Sequence, residues 1–173
     1  MFDVVVVGAG PGGAAAAKRC AERGLDTLLL EKKRLPREKV CSGLILGKLA
    51  HRLVAQEFGA LPEKIVLSRM RGLALWMPGV GERRIPSETP ITWRKDLDHW
   101  MVRQAQSAGV EVREDALVKR IESDGASSTL TARIEGGLSR AGCQASGQAG
   151  WGGHDPQARP GGQRTRADAG WAS

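Results

Sequence analysis

Aromatic residues are scarce in this 173-residue chain, which has no tyrosine, two phenylalanines and five tryptophans. None of them alternates with the basic residues, so the chain lacks a stacking platform for single-stranded nucleic acid. The net charge of +7 does not change this, because lysines and arginines are spread along the chain and interleaved with acids. The densest run, Glu31 to Lys39, follows a predicted strand and suits a cofactor phosphate or solvent. Nucleic acid is therefore not an expected partner. Cysteine is also rare: Cys20, Cys41 and Cys143 form no CxxC pair and leave one unpaired. A disulfide framework is not expected, and a reducing compartment, the cytoplasm, is. His51, His99 and His154 have no partners at metal-ligand spacing, so no metal site is expected. No stretch reaches the roughly 18 to 20 apolar residues that span a bilayer. The Met-Phe-Asp start lacks the charged and long apolar segments of a signal peptide. Peripheral membrane contact stays open.

Against these absences stands one dense pattern. The apolar run Val4 to Val7 leads into Gly8-Ala9-Gly10-Pro11-Gly12-Gly13, and a second apolar run, Thr27 to Leu30, ends on Glu31. This order is that of a dinucleotide-binding βαβ unit. Gly8 permits the tight turn off the strand, Gly10 lets backbone approach a pyrophosphate, and Gly13 lets the helix pack close to the sheet. The helix N-terminus offers N–H groups and a positive dipole end to phosphate, and Glu31 can accept hydrogen bonds from a ribose 2′-hydroxyl. The bland alternative is an unliganded βαβ turn.

Further along, strands are expected at residues 2–8 and 27–30, with a small-residue helix over 12–23 that Gly24 caps. Leu46, Leu49, Ala50, Leu53, Val54 and Phe58 recur at helical spacing, and Gly59 closes that helix. Residues 62–90 read as an antiparallel excursion of three short strands, 65–67, 73–77 and 83–85, broken by Pro78-Gly79 and Gly81. A helix over 96–108, a strand over 110–112 and a hairpin of 116–121 with 129–134, turned at Ser123-Asp124-Gly125, complete the pattern. From Gly136 the chain turns to glycine, alanine, glutamine and arginine, and no Val, Ile, Phe or Met follows Ile134. Such a segment cannot bury enough surface to offset its ordering entropy, so residues 136–173 are expected to be a disordered tail or the product of a change in coding frame near residue 137.

Three blocks resemble the geranylgeranyl reductase-like flavoproteins, within the wider group of para-hydroxybenzoate-hydroxylase-like monooxygenases. They are Asp3 to Glu31; Leu35-Pro36-Arg37-Glu38-Lys39-Val40-Cys41-Ser42-Gly43, similar to the family's Lys-x-Cys-Gly/Ser-Gly segment; and Trp93-Arg94-Lys95-Asp96-Leu97-Asp98, leading to Ala108-Gly109-Val110. The resemblance implies an FAD site in which Ala14 and Glu31 contact the cofactor and Cys41, Ser42 and Gly43 lie near the flavin and substrate cavity. It further implies that Arg94 helps hold the phosphates and that the Val118 backbone meets the adenine. Arginine suits phosphate because its guanidinium offers two parallel donors. Polyprenyl double bonds are the implied substrate class, with NAD(P)H as a candidate electron donor. The later Asp-Gly and Gly-Asp motifs of the group are absent, and His154-Asp155-Pro156 does not replace them.

The fold expectation is therefore α/β: a Rossmann-like FAD-binding βαβ over residues 1–135, carrying the antiparallel excursion, as an incomplete domain with a tail at 136–173. The cofactor residues expected are Gly8, Gly10, Gly13, Ala14, Glu31, Cys41, Ser42, Arg94 and Val118, with Cys41 the candidate catalytic group. Residues against an apolar background have structural alternatives: Cys20 as a small buried side chain, Trp76, Trp93 and Trp100 as core, Cys143 as inert tail, and Arg94 as a surface arginine. Ser42 lacks a His or Asp relay, so it is no nucleophile. The expected function is FAD-binding oxidoreduction by a truncated chain of doubtful activity on its own, acting on an isoprenoid or lipid substrate. The alternatives are a non-catalytic adenine-nucleotide module with a disordered basic tail, or a flavin monooxygenase or NAD-dependent dehydrogenase.

Overall fold

Four consecutive valines and the run Thr-Leu-Leu-Leu have no polar alternation, the pattern of strands covered on both faces. They form parallel neighbours in register from Val4 opposite Thr27 to Val7 opposite Leu30. The structure, a computed structural model, describes residues 1–45, 47–125, 127–134 and 137–144. Along the chain these are β1 (Val4–Val7), α1 (Pro11–Glu22), β2 (Thr27–Leu30), α2 (Gly47–Phe58), a single 3-10 turn (Glu63–Ile65), β3 (Val66–Met77), β4 (Gly81–Thr92), α3 (Arg94–Ser107), β5 (Glu111–Arg113), β6 (Leu117–Ser123), β7 (Ser127–Ile134) and β8 (Gly137–Gln144). Two units result: Met1–Arg34 with the chain from Val102 onward, and Leu35–Met101. No helix among the described residues is long and apolar enough to cross a membrane.

In the first unit, β2 is the central strand of a parallel sheet ordered β1-β2-β5. Strand periodicity sends Leu28 and Leu30 to one face and Leu29 to the other, and all three are fully buried. Burying each leucine is worth about 1.5–3 kcal/mol, which makes this strand the anchor of the unit. Helix α1 packs on β1 and β2, and its buried positions are the small residues Ala14 and Ala17. It stops where Gly24 N–H bonds back to Ala21 O and Leu25 N–H to Cys20 O, a pairing that satisfies the last carbonyls. Leu28 and Leu30 meet Phe2, Ala116, Leu130 and Ala141 in one buried cluster, which joins the parallel sheet to an antiparallel sheet ordered β6-β7-β8. The expected hairpin is present, its turn held by the Asp124 carboxylate accepting from Ser127 N–H at 2.7 Å.

One boundary moves. Residues 137–144, expected to open the tail, form β8 and pair along β7 from Gly137 opposite Ile134 to Gln144 opposite Ser127. Small residues suffice there: Ala141 and Ser139 are buried, and the cost of ordering is offset by backbone pairing along β7, whose Leu130 and Ala132 are buried. Cys143 is consequently no tail residue but a half-buried group that bridges Phe2 and packs on the cluster. Residues 145–173, the rest of the expected tail, lie outside the described residues.

In the second unit, the three short strands expected over 62–90 are two long ones, β3 and β4, of 12 residues each. Pro86 and Pro90 lie within β4 opposite Gly72 and Arg69, and the pairing accommodates two irregularities, between Val66 and Ser68 and between Met70 and Gly72. The ribbon also exposes Trp76, which lies on β3 near the Met77–Gly81 turn, and Trp93 beyond β4 is exposed too. These two are therefore not core. Trp100 does pack, its ring lying 5.9 Å from that of Phe58 in a tilted arrangement.

Candidate functional site

The turn between β1 and α1 is shaped by what its glycines lack. Gly8 has φ of +99°, and a Cβ on Gly13 would stand 1.9 Å from the Gly8 carbonyl oxygen. No other residue type allows the helix to start this close to the strand. Gly10 is the N-cap in extended conformation, Pro11 occupies the first turn without needing a donor there, and no acid sits in that turn. Ala14 N–H closes the first helical bond to Gly10 O at 2.9 Å, and its methyl is buried. The N–H groups of the first turn are thus presented beside the glycine loop with the positive end of the helix dipole.

Glu31 completes this cradle. It is buried, and its backbone is locked by bonds to Arg113 O and from Ala116 N–H. Its carboxylate accepts Ala9 N–H at 2.9 Å through Oε2 and Lys33 N–H at 3.2 Å through Oε1. The acid expected to meet a ribose therefore also holds the glycine loop in place. Val118 lies in β6 of the same unit, half-buried against the apolar cluster.

The second unit holds the other expected residues. Gly43 has φ of +73°, and a Cβ there would lie 2.1 Å from Thr92 O, so the loop after Cys41 can rest on the end of β4 only as glycine. Thr92 N–H bonds Gly43 O at 3.0 Å, and Leu44 bridges Ile91. This seats Cys41 and Ser42, both exposed, within reach of the start of α3. The Gly43 backbone N–H, with the Arg94 guanidinium and Ser42 adding to it, holds the Cys41 thiol below the ordinary thiol range.

Arg94 is not the surface arginine of the bland alternative. Its Nε and one terminal nitrogen donate to the two oxygens of Asp98 at 2.8 and 3.0 Å, a bidentate pair one helical turn apart. Arg37 adds a third bond to Asp98 at 3.1 Å, with the Asp98 side chain fully buried. Lys95 and Glu38 pair at 3.0 Å between the same two segments. Two donors of Arg94 are therefore committed to a carboxylate. Gly8, Gly10, Gly13, Ala14, Glu31 and Val118 thus belong to one unit, and Cys41, Ser42 and Arg94 to the other. Arg37 and Asp98 were not singled out from the sequence. The Arg94–Asp98 spacing of four on a helix was the available signal, whereas nothing local marks Arg37.

A family model for FAD-dependent oxidoreductases matches residues 3–36. The chain is 38% identical over 120 residues to a digeranylgeranylglycerophospholipid reductase of Methanopyrus kandleri, covering 69% of this chain and 29% of that protein. It is 30% identical over 128 residues to a protein encoded in the nifH2 5′ region of Methanosarcina barkeri, covering 70% of this chain and 69% of that one. Among solved structures, a geranylgeranyl bacteriochlorophyll reductase-like protein of Thermoplasma acidophilum superimposes with a TM-score of 0.70 at 20% identity, over 83% of this chain and 37% of that one. A flavin-dependent brominase variant does so with a TM-score of 0.69 at 26% identity, over 82% and 36%. The chain spans 29–31% of the length of the first three reductases it matches.

Proposed function

The chain belongs to the geranylgeranyl reductase-like family of FAD-dependent oxidoreductases, and from that premise we propose that it binds FAD and serves the reduction of polyprenyl double bonds in an isoprenoid lipid, with NAD(P)H as electron donor. When bound, FAD supplies the two-electron exchange, and the protein supplies binding and orientation. The observation that carries this reading is the convergence on one turn of the Gly8–Gly13 contact, the start of α1 and the Glu31 carboxylate. Gly8 makes the turn off the strand, Gly10 lets the backbone approach the pyrophosphate, Gly13 lets the helix pack close to the sheet, and Ala14 contacts the cofactor. Glu31 accepts from the ribose, and the Val118 backbone meets the adenine. Cys41 and Ser42 take the flavin end, with Cys41 the reactive group, and Arg94 contributes positive charge toward phosphate. Three free cysteines agree with a reducing, cytoplasmic setting.

The test is a titration of the purified chain with FAD, read by flavin absorbance and fluorescence, with ADP as competitor. Saturable FAD binding that ADP displaces, and bleaching of the bound flavin by dithionite, is the expected result. A colourless protein that binds ADP and not FAD would replace this reading with that of a non-catalytic adenine-nucleotide module. Oxygen consumption on adding NAD(P)H to the yellow protein would point to a monooxygenase instead.

A further inference from the structure

We propose that the closed end of the β3–β4 ribbon is a docking tip for an anionic lipid bilayer, with Trp76 and Val80 entering the headgroup region and Arg83 meeting lipid phosphate. The inference rests on the reading that the substrate is an isoprenoid lipid, which a bilayer must supply because its polyprenyl chain does not dissolve in water.

The tip is apolar on both faces. Leu75 and Met77 share one face and Trp76 takes the other, since side chains alternate along a strand. All three are exposed, as is Val80 in the turn, with Trp76 at 72% and Val80 at 52%. Exposed apolar groups gathered in one place mark an interaction surface. The turn is also suited to a dry boundary: Pro78 has no N–H to desolvate, and Val80 N–H is bonded to Met77 O at 3.1 Å. Directly behind the tip, Arg83 stands opposite Leu75 and Arg84 opposite Ala74, one on each face. Arg84 pairs with Glu82. Arg83 bonds only the Glu82 carbonyl, at 3.5 Å, and has no carboxylate partner among the described residues. An apolar end with tryptophan, backed by arginine, matches the layering of a membrane surface, where indole rings sit at headgroup depth and guanidiniums reach phosphate. Charge also argues against a second copy as the occupant. The ribbon carries Arg69, Arg71, Arg83 and Arg84 against Glu82 and Glu88, and β3 itself has two arginines and no acid, so two copies joined along β3 or at their tips would set like charges together.

The test is sedimentation of the full chain with vesicles of phosphatidylcholine alone or mixed with phosphatidylglycerol, together with tryptophan emission. Binding to the mixed vesicles, a blue shift of the emission and weakening by salt are expected. Trp76→Ser combined with Val80→Ser should weaken binding by about tenfold or more and abolish the shift. Arg83→Gln should weaken it about fivefold, whereas Arg120→Gln, which removes the same charge from an exposed site on β6, should leave it unchanged. Absence of binding, equal binding to neutral vesicles, or equal losses in Arg83→Gln and Arg120→Gln would each overturn the proposal. A dimer in light scattering that the tip variant dissociates would overturn it too, giving the face to a second copy. If the tip variant does not fold by circular dichroism, the comparison of Arg83→Gln with Arg120→Gln decides. No flavin enters the measurement, so a chain that binds FAD but no vesicles overturns this inference alone, and one that binds vesicles but no FAD overturns only the functional reading.

Discussion

Glu31 and Asp98 are both buried carboxylates, and the two units of the chain stabilise them by opposite means. Glu31 is held by main-chain amides, from Ala9 and Lys33, in a loop that its own strand delivers. Asp98 is held by side-chain cations, from Arg94 on its own helix and from Arg37, which is 61 residues away in sequence. Amides are rigid and neutral, so an acid held by them fixes the loop that carries them. Guanidiniums are mobile and charged, so an acid held by them chiefly fixes where those cations stand. The first arrangement suits recognition and the second suits positioning.

Substitutions can break that contrast, and the largest effect belongs to the glycine turn. Gly13→Ala drives a Cβ against the Gly8 carbonyl, a backbone atom that cannot yield without moving β1. Loss of detectable FAD binding and destabilisation by about 4 kcal/mol or more are expected, read by flavin titration and urea unfolding. Asp98→Ala comes next, because it leaves two nearly buried guanidiniums without their shared carboxylate. A cost of about 3–5 kcal/mol is expected in the same unfolding assay, with FAD affinity less affected than by Gly13→Ala.

Glu31→Ala should lie below both in stability, at about 1–3 kcal/mol, since it orphans the amides of Ala9 and Lys33 rather than burying a bare charge. It should nevertheless weaken FAD binding more than Asp98→Ala does. If the order of affinities reverses, the contrast between recognition and positioning is wrong. Lys95→Ala removes only an exposed pair with Glu38 and should cost less than about 1 kcal/mol, a difference that 0.5 M salt should erase.

The glycine turn, α1 and the clamp at Glu31 were legible because their causes are local. The strand, turn and helix follow one another within 31 residues, and each glycine position meets a steric demand of its immediate neighbours. The β6–β7 hairpin was legible for the same reason, through Ser123-Asp124-Gly125. Strand β8 was not, because Gly137–Gln144 has little apolar content and gains its stability from pairing with β7 and from the seat of Phe2 beside Gly142 and Cys143. Trp76 and Trp93 were misjudged because apolar sequence neighbours do not supply a covering layer.

The sequence by itself determined a nucleotide cradle, an α/β rhythm and a cysteine within a recognisable segment, since these depend on residue spacing along a few turns of chain. Tertiary structure alone decided that Gly43 rests on Thr92 and that Asp98 is shared between Arg94 and Arg37. The reason is physical. Backbone sterics and helix termini act over a few residues and leave a fixed pattern, whereas a buried charge takes its partner from whichever segment the fold brings within about 3 Å.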